Sequence, residues 1–336
     1  MFMESKDLRS LIELCSVPGV SGREEMVRSK IIQMLGESGV QVDRIGNLIY
    51  KKEGSSKNKN VILMAHMDEI GFYISSIRED GKLEVKNVGG IIEEVIQGTF
   101  VDVITENGVV EGVIGTVPPH LKSDGIVFEK VIDVGAHSKQ EVEHLGISIM
   151  DYAVFKKQYA ILNNEFLSMR SLDDRFGCYT LIEVAKNSNV ISNCFFTWTV
   201  QEEVGLCGAK ALVNYFTAFE NTKFDLAIAV DSFACCSKLN RHINLGNGPV
   251  IRAFDNSSIS DRSLVKFLIK LAQQEGIPIQ LGSTGGGNDA SVFAEHGVPM
   301  IALSVPIRYL HSQVEMLNVN DLKNLIKLLR VFLERF

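Results

Sequence analysis

Four mainly apolar runs, each handing over a carboxylate or a histidine at its carboxyl end, limit what this chain can fold into more than any other feature. Val61-Ile-Leu-Met-Ala65 delivers His66-Met-Asp68, and Cys194 to Val200 delivers Gln201-Glu202-Glu203. Asp225 to Val230 delivers Asp231, and Val298 to Val305 leads through Pro306-Ile-Arg308-Tyr-Leu to His311. Such runs fit strands buried on both faces, as in parallel sheets covered by helices. An open α/β sheet binds its ligands at the carboxyl edge of those strands. The expected fold class is α/β, with the chemistry at that edge.

Neighbouring side chains on a strand point to opposite faces, so Glu202 and Glu203 share a site only if the strand ends there, ahead of Gly205. One carboxylate could then bind a metal ion while the other takes a proton from a water bound to it. A solvated acidic turn is the alternative reading of a bare Glu-Glu pair.

A chain of 336 residues has room for one large domain or two moderate ones. Lys and Arg number 34 against 41 Asp and Glu, a net charge of −7 that argues against nucleic acid or an anionic membrane as partner. Met1 to Cys15 mixes charges into its apolar positions, unlike a secretory leader. No apolar run approaches the roughly 20 residues needed to cross a bilayer, so a soluble, cytoplasmic protein is expected. The six cysteines form no Cys-x-x-Cys pair and read as reduced core residues, with Cys207 and Cys235-Cys236 as candidates for lining a pocket.

Lys6 to Cys15 predicts an amphipathic helix, and Ser21 with Glu24 reads as a capping box opening a second one. That second helix would carry Met26, Val27, Ile31 and Leu35 on one stripe. From Glu69 to about Leu162 the texture changes to short β-rich segments separated by glycine-bearing turns, with Glu106-Asn107-Gly108 matching a primed hairpin turn. The expected organisation is a first part of an α/β catalytic domain at 1–68, an inserted β-barrel or sandwich at 69–162, and the rest of the α/β domain at 163–336.

Ser283-Thr-Gly-Gly-Gly-Asn-Asp289 lacks the Lys-Ser/Thr of a phosphate loop and reads as a turn that lets backbone approach a substrate or the metal site, with Gly286 as a candidate substrate contact. Arg308 is a second candidate. His120, in Pro118-Pro-His-Leu121, is a third, with an ordinary loop histidine as its alternative. In Asp173-Asp174, ahead of a helix to about Lys186, one aspartate can cap the helix and leave the other free.

A two-metal hydrolase needs a shared carboxylate between ions about 3.5–4 Å apart, with further histidine and carboxylate ligands on each. One assignment uses every candidate: Asp173 bridges, His66 and Asp231 hold one ion, and Glu203 and His311 hold the other. Three carboxylates and a bridging hydroxide balance two divalent cations. Glu202 is then left as general base, and Asp68 supports His66.

His66-x-Asp68, Leu172-Asp-Asp-Arg-x-Gly177, Gln201-Glu-Glu-Val-Gly-Leu206, Val230-Asp231 and Arg308-Tyr-x-His-Ser312 together resemble the co-catalytic metallo-aminopeptidases of peptidase family forty-two. That family includes the tetrahedral (TET), glutamyl and deblocking aminopeptidases. The resemblance runs from Pro18-Gly-Val-Ser-Gly22 to the last helix. It implies a zinc-exopeptidase-like α/β/α sandwich with a small inserted barrel-like dimerisation domain. It also implies two divalent ions per subunit (zinc, with cobalt or manganese as alternatives), peptide substrates, and a homo-oligomer of dimers reaching a dodecamer. It favours Asp173 over Asp174 as the bridge. Ser232-Phe-Ala after Asp231 and Met150-Asp151 depart from the family pattern without touching a proposed ligand. A related amidohydrolase or deacylase is the nearest alternative. A metal-free glycoside hydrolase would leave two strand-end histidines unexplained.

Overall fold

The structure, a computed structural model, describes residues 6–36, 39–56, 58–235 and 241–336. Its main body is an eight-stranded sheet. Four neighbouring strands at its centre run parallel: Asn193–Thr199, Asn60–His66, Leu226–Val230 and Met300–Ser304. Their register aligns Thr199 with His66 and Val230 with Leu303, so their carboxyl ends finish along one edge.

Alternation along these strands builds two apolar layers. Val61, Leu63 and Ala65 join one core with the helices Lys6–Cys15, Glu25–Leu35, Leu172–Asn187 and Val319–Leu333. Ile62 and Met64 join the other, with Cys207–Asn214 and Ala290–Glu295. This is the α/β/α sandwich that doubly buried strands require. Each fully buried aliphatic or aromatic side chain adds roughly 1.5–3 kcal/mol relative to exposure.

Six strands between Gly71 and Phe155 close into an antiparallel barrel with its own core, which includes Phe72, Leu83, Val101, Ile132 and Phe155. In Thr99–Thr105, Val101 and Val103 point inward while Phe100 faces out, as a barrel wall demands. Tyr159–Leu162, placed in the insert by a boundary at 162, pairs with Phe166–Met169, which in turn pairs with Met316–Asn318. This separate three-stranded sheet leads the chain from the barrel back to the main body. At the seam Glu69 is buried against Arg170 and Arg175 and accepts the Gly19 amide at 3.0 Å.

Three local expectations fail for identifiable reasons. Ser21 does not cap Glu25–Leu35, because its hydroxyl donates to Asp68 at 2.6 Å, while Glu24 accepts from the Gly22 and Gln201 amides. Met26 is exposed, leaving Val27 and Ile31 as the buried residues of that helix. Thr105 and Gly108 do pair across a hairpin, but neither Glu106 nor Asn107 adopts positive φ. The Thr105 hydroxyl braces this turn by accepting the Asn107 amide, so the primed geometry is not used.

Among the described residues no helix is long and apolar enough to cross a membrane. Cys15, Cys178 and Cys194 are buried, as expected of core thiols. Cys207 and Cys235 do not line the cleft described below, and Cys236 lies outside the described residues.

Candidate metal centre

The carboxyl ends of the parallel strands bring His66, Glu202, Glu203, Asp231 and, beyond the last strand, His311 to one cleft of about 330 Å³. After Thr199 the chain leaves the sheet. Gln201 takes φ 56 and Gly205 φ 116, a break in alternation that lets both Glu202 and Glu203 line the cleft. Asp68 holds this turn, accepting the Glu202 amide at 3.0 Å and the Glu203 amide at 3.1 Å. Its carboxylate is also 3.5 Å from His66 Nδ1, but the closer partner of that nitrogen is the Asp68 backbone carbonyl at 3.1 Å. Asp68 therefore supports the glutamate pair as directly as it supports His66.

Asp173 and Asp174 divide the labour that their sequence left open. Asp174 accepts the Gly177 amide at 3.2 Å at the start of the helix, while Asp173 faces the cleft. Asp173 Oδ1 is 3.4 Å from His66 Nε2, and Oδ2 is 3.5 Å from His311 Nε2. His311 Nε2 is also 3.3 Å from Glu203 Oε1.

Two groups of ligand atoms result, His66 with Asp173 and Asp231, and Asp173 with Glu203 and His311, each lying within 4.8 Å of one another. Asp173 belongs to both. Its Oδ1 is buried and makes no hydrogen bond, which leaves its lone pairs available to a cation. Imidazole and carboxylate donors suit zinc, cobalt or manganese. These donors fit divalent metal ions.

The electrostatics agree. Burial opposes ionisation of Asp173, but the two imidazoles outweigh it and hold the carboxyl far below its usual range. Burial likewise opposes charge on His311, yet Asp173 and Glu203 push it up to about 12. The carboxylates that raise both imidazoles make the same field that would favour a cation. Burial pushes Asp231 up to about 6, partly countered by Arg252. Burial also raises Glu202 well above the ordinary carboxyl range; His66 opposes this, and Asp231 and Asp289 add to it.

Of the other sequence candidates, Gly286 lines the cleft at φ 84. His120 lies exposed in the short helix Pro119–Ser123, and Arg308 pairs its main chain with Met316; neither lines the cleft. Several contributors carried little signal in sequence. Ser232 donates to Asp173 at 3.0 Å, and Arg252 braces Asp231 at 3.5 Å and Asp255 at 3.0 Å. The Gly90 carbonyl contacts His311 Nδ1 at 3.0 Å. Ser232 follows a candidate ligand directly, whereas Arg252 looks like any residue of a mid-sheet strand.

Comparison with known proteins gives this geometry its context. The profile of the M42 glutamyl aminopeptidases matches residues 46–328. The chain belongs to the M42 family. The lysyl aminopeptidase of Pyrococcus furiosus is 33% identical over 98% of this chain and 97% of its own. The glutamyl aminopeptidase of Lactococcus lactis is 28% identical, covering 92% and 90%. In three dimensions the Pyrococcus horikoshii TET1 peptidase, described as able to assemble into a tetrahedron or a large octahedral shell, superposes with a TM-score of 0.90. It is 44% identical and covers 98% of this chain and 100% of its own. This M42 chain is thus a peptide hydrolase of the aminopeptidase class, with the TET fold.

Proposed function

We propose that this M42 aminopeptidase works through two divalent ions, one held by His66, Asp173 and Asp231 and the other by Asp173, Glu203 and His311. The observation that carries the reading is the position of Asp173, shared by both ligand groups with one buried oxygen that makes no hydrogen bond. Bound ions would supply Lewis acidity at the scissile carbonyl and lower the pKa of the attacking water. Zinc is the first choice of metal, with cobalt and manganese compatible with the donors.

Glu202 lies in the cleft but in neither ligand group, so its carboxylate is available as base. It would take the proton of the attacking water and return it to the leaving amine, while Asp68 fixes its backbone. The Thr284–Gly287 turn, without bulky side chains at three of its four positions, allows extended peptide to approach one wall. A peptide with a free amino terminus should be cleaved and its N-acetylated form should not. Comparable rates for the two, followed by mass spectrometry, would move the assignment to a deacylating or deblocking enzyme.

The assembly reading is a dimer joined through the barrel, with twelve subunits as the larger form. Its support is the outward Phe100 and Val109, 56% and 61% exposed on the barrel wall, together with the assemblies of the TET1 relative. Light scattering should give at least a dimer mass. A monomer at working concentration would reject the assembly, and an active stable dimer would reject only the larger shell.

A further inference from the structure

The barrel reaches into the cleft at one place. Gly89 and Gly90 follow the barrel strand Lys82–Val88. A Cβ on Gly89 would lie 2.9 Å from Glu203 Oε2, and one on Gly90 would lie 2.9 Å from His311 Nδ1. Both glycines are therefore packed directly onto one ligand group. The Gly90 carbonyl can only accept, so at 3.0 Å it requires a proton on His311 Nδ1 and leaves Nε2 to face Asp173 and Glu203. Among the described residues no hydrogen bond or ion pair runs from the barrel to His66, Asp173 or Asp231. His66 Nδ1 is oriented by the Asp68 carbonyl at 3.1 Å, and His66, Asp173 and Asp231 all lie outside the Gly71–Phe155 barrel.

We propose that the Gly89-Gly90 segment is a positioning element for the His311 and Glu203 half of the centre, so that the barrel controls occupancy of that half alone. The inference rests on the two-ion reading above. It has a reciprocal consequence: if the segment favours the ion, the ion must stabilise the segment by the same free energy.

Gly90→Ala tests it. Gly90 is not in the left-handed region, so alanine is tolerated by the backbone and acts by pressing on the His311 ring. Gly115→Ala is the control, at a barrel glycine with open space around it and no positive φ. Elemental analysis at a metal concentration just sufficient to saturate the unaltered enzyme should find two ions per subunit there and in Gly90→Ala only one, with the second recovered at raised metal concentration. Gly115→Ala should keep both. Fewer than two ions in the unaltered enzyme would overturn the two-ion reading itself. Two ions there and in Gly90→Ala, bound with equal affinity against a competing chelator, would overturn this inference while leaving that reading in place. A measurement on the unaltered enzyme covers the case in which the variant does not fold. Amide hydrogen exchange at residues 88–92 should accelerate as a chelator withdraws the ions, and unchanged exchange would overturn the inference.

Discussion

Glu202→Gln is expected to lower turnover by about 10²–10⁴-fold, the range of general acid–base catalysis, while two ions per subunit stay bound. Glutamine preserves the size of the side chain, and the Asp68 bond to the residue 202 amide involves backbone only, so the turn should persist. What is lost is a group that can accept a proton. Because Glu202 belongs to neither ligand group, no ion loses a donor. Glu203→Gln should behave in the opposite way, releasing the ion it shares with His311. If metal analysis found an ion missing from Glu202→Gln and both present in Glu203→Gln, the two roles would be exchanged.

Asp173→Asn is expected to empty both halves of the centre and to reduce turnover to background. Asp173 is the one residue common to both groups, and its two oxygens lie 3.4 Å from His66 Nε2 and 3.5 Å from His311 Nε2. Removing an outer partner of a metal ligand costs roughly 10–100-fold in affinity, and loss of the shared ligand should exceed that at each ion. The substitution also removes the carboxylate that most favours charge on both imidazoles, so His66 and His311 should titrate lower in the metal-free variant. Melting in the presence of chelator separates loss of metal from loss of fold. A variant that melts like the chelated parent but retains two ions would show that Asp173 is not the bridge.

The framework was legible because its signals are local and periodic. Val61 to Ala65 and Leu226 to Val230 are apolar on both faces, which leaves a helix-covered parallel sheet as their natural setting. His66, the last residue of its strand, and Asp231, the first past its own, inherit their position from the register. Glu202 and Glu203 were placed by the same logic plus one glycine. The long-range contacts were not legible, since a hydroxyl or a carbonyl does not announce its partner. Ser21 and Glu24 have the spacing of a capping box, yet Asp68 and the Gln201 amide compete successfully for them. Arg252 occupies a strand whose sequence gives no reason to aim a guanidinium at Asp231. Gly89 and Gly90 read as a turn between β segments, and only the folded chain brings them against Glu203 and His311 from the barrel side.

The central claim is that hydrolysis depends on two ions bridged by Asp173. The most direct test is to strip the purified enzyme with chelator and titrate divalent metal back, measuring bound ions per subunit and hydrolysis of an aminoacyl-nitroanilide on the same samples. Activity should vanish in the stripped protein and recover as occupancy rises to two ions per subunit, with Asp173→Asn regaining neither. Full peptide hydrolysis by stripped enzyme, or complete recovery without any ion bound, would contradict the account.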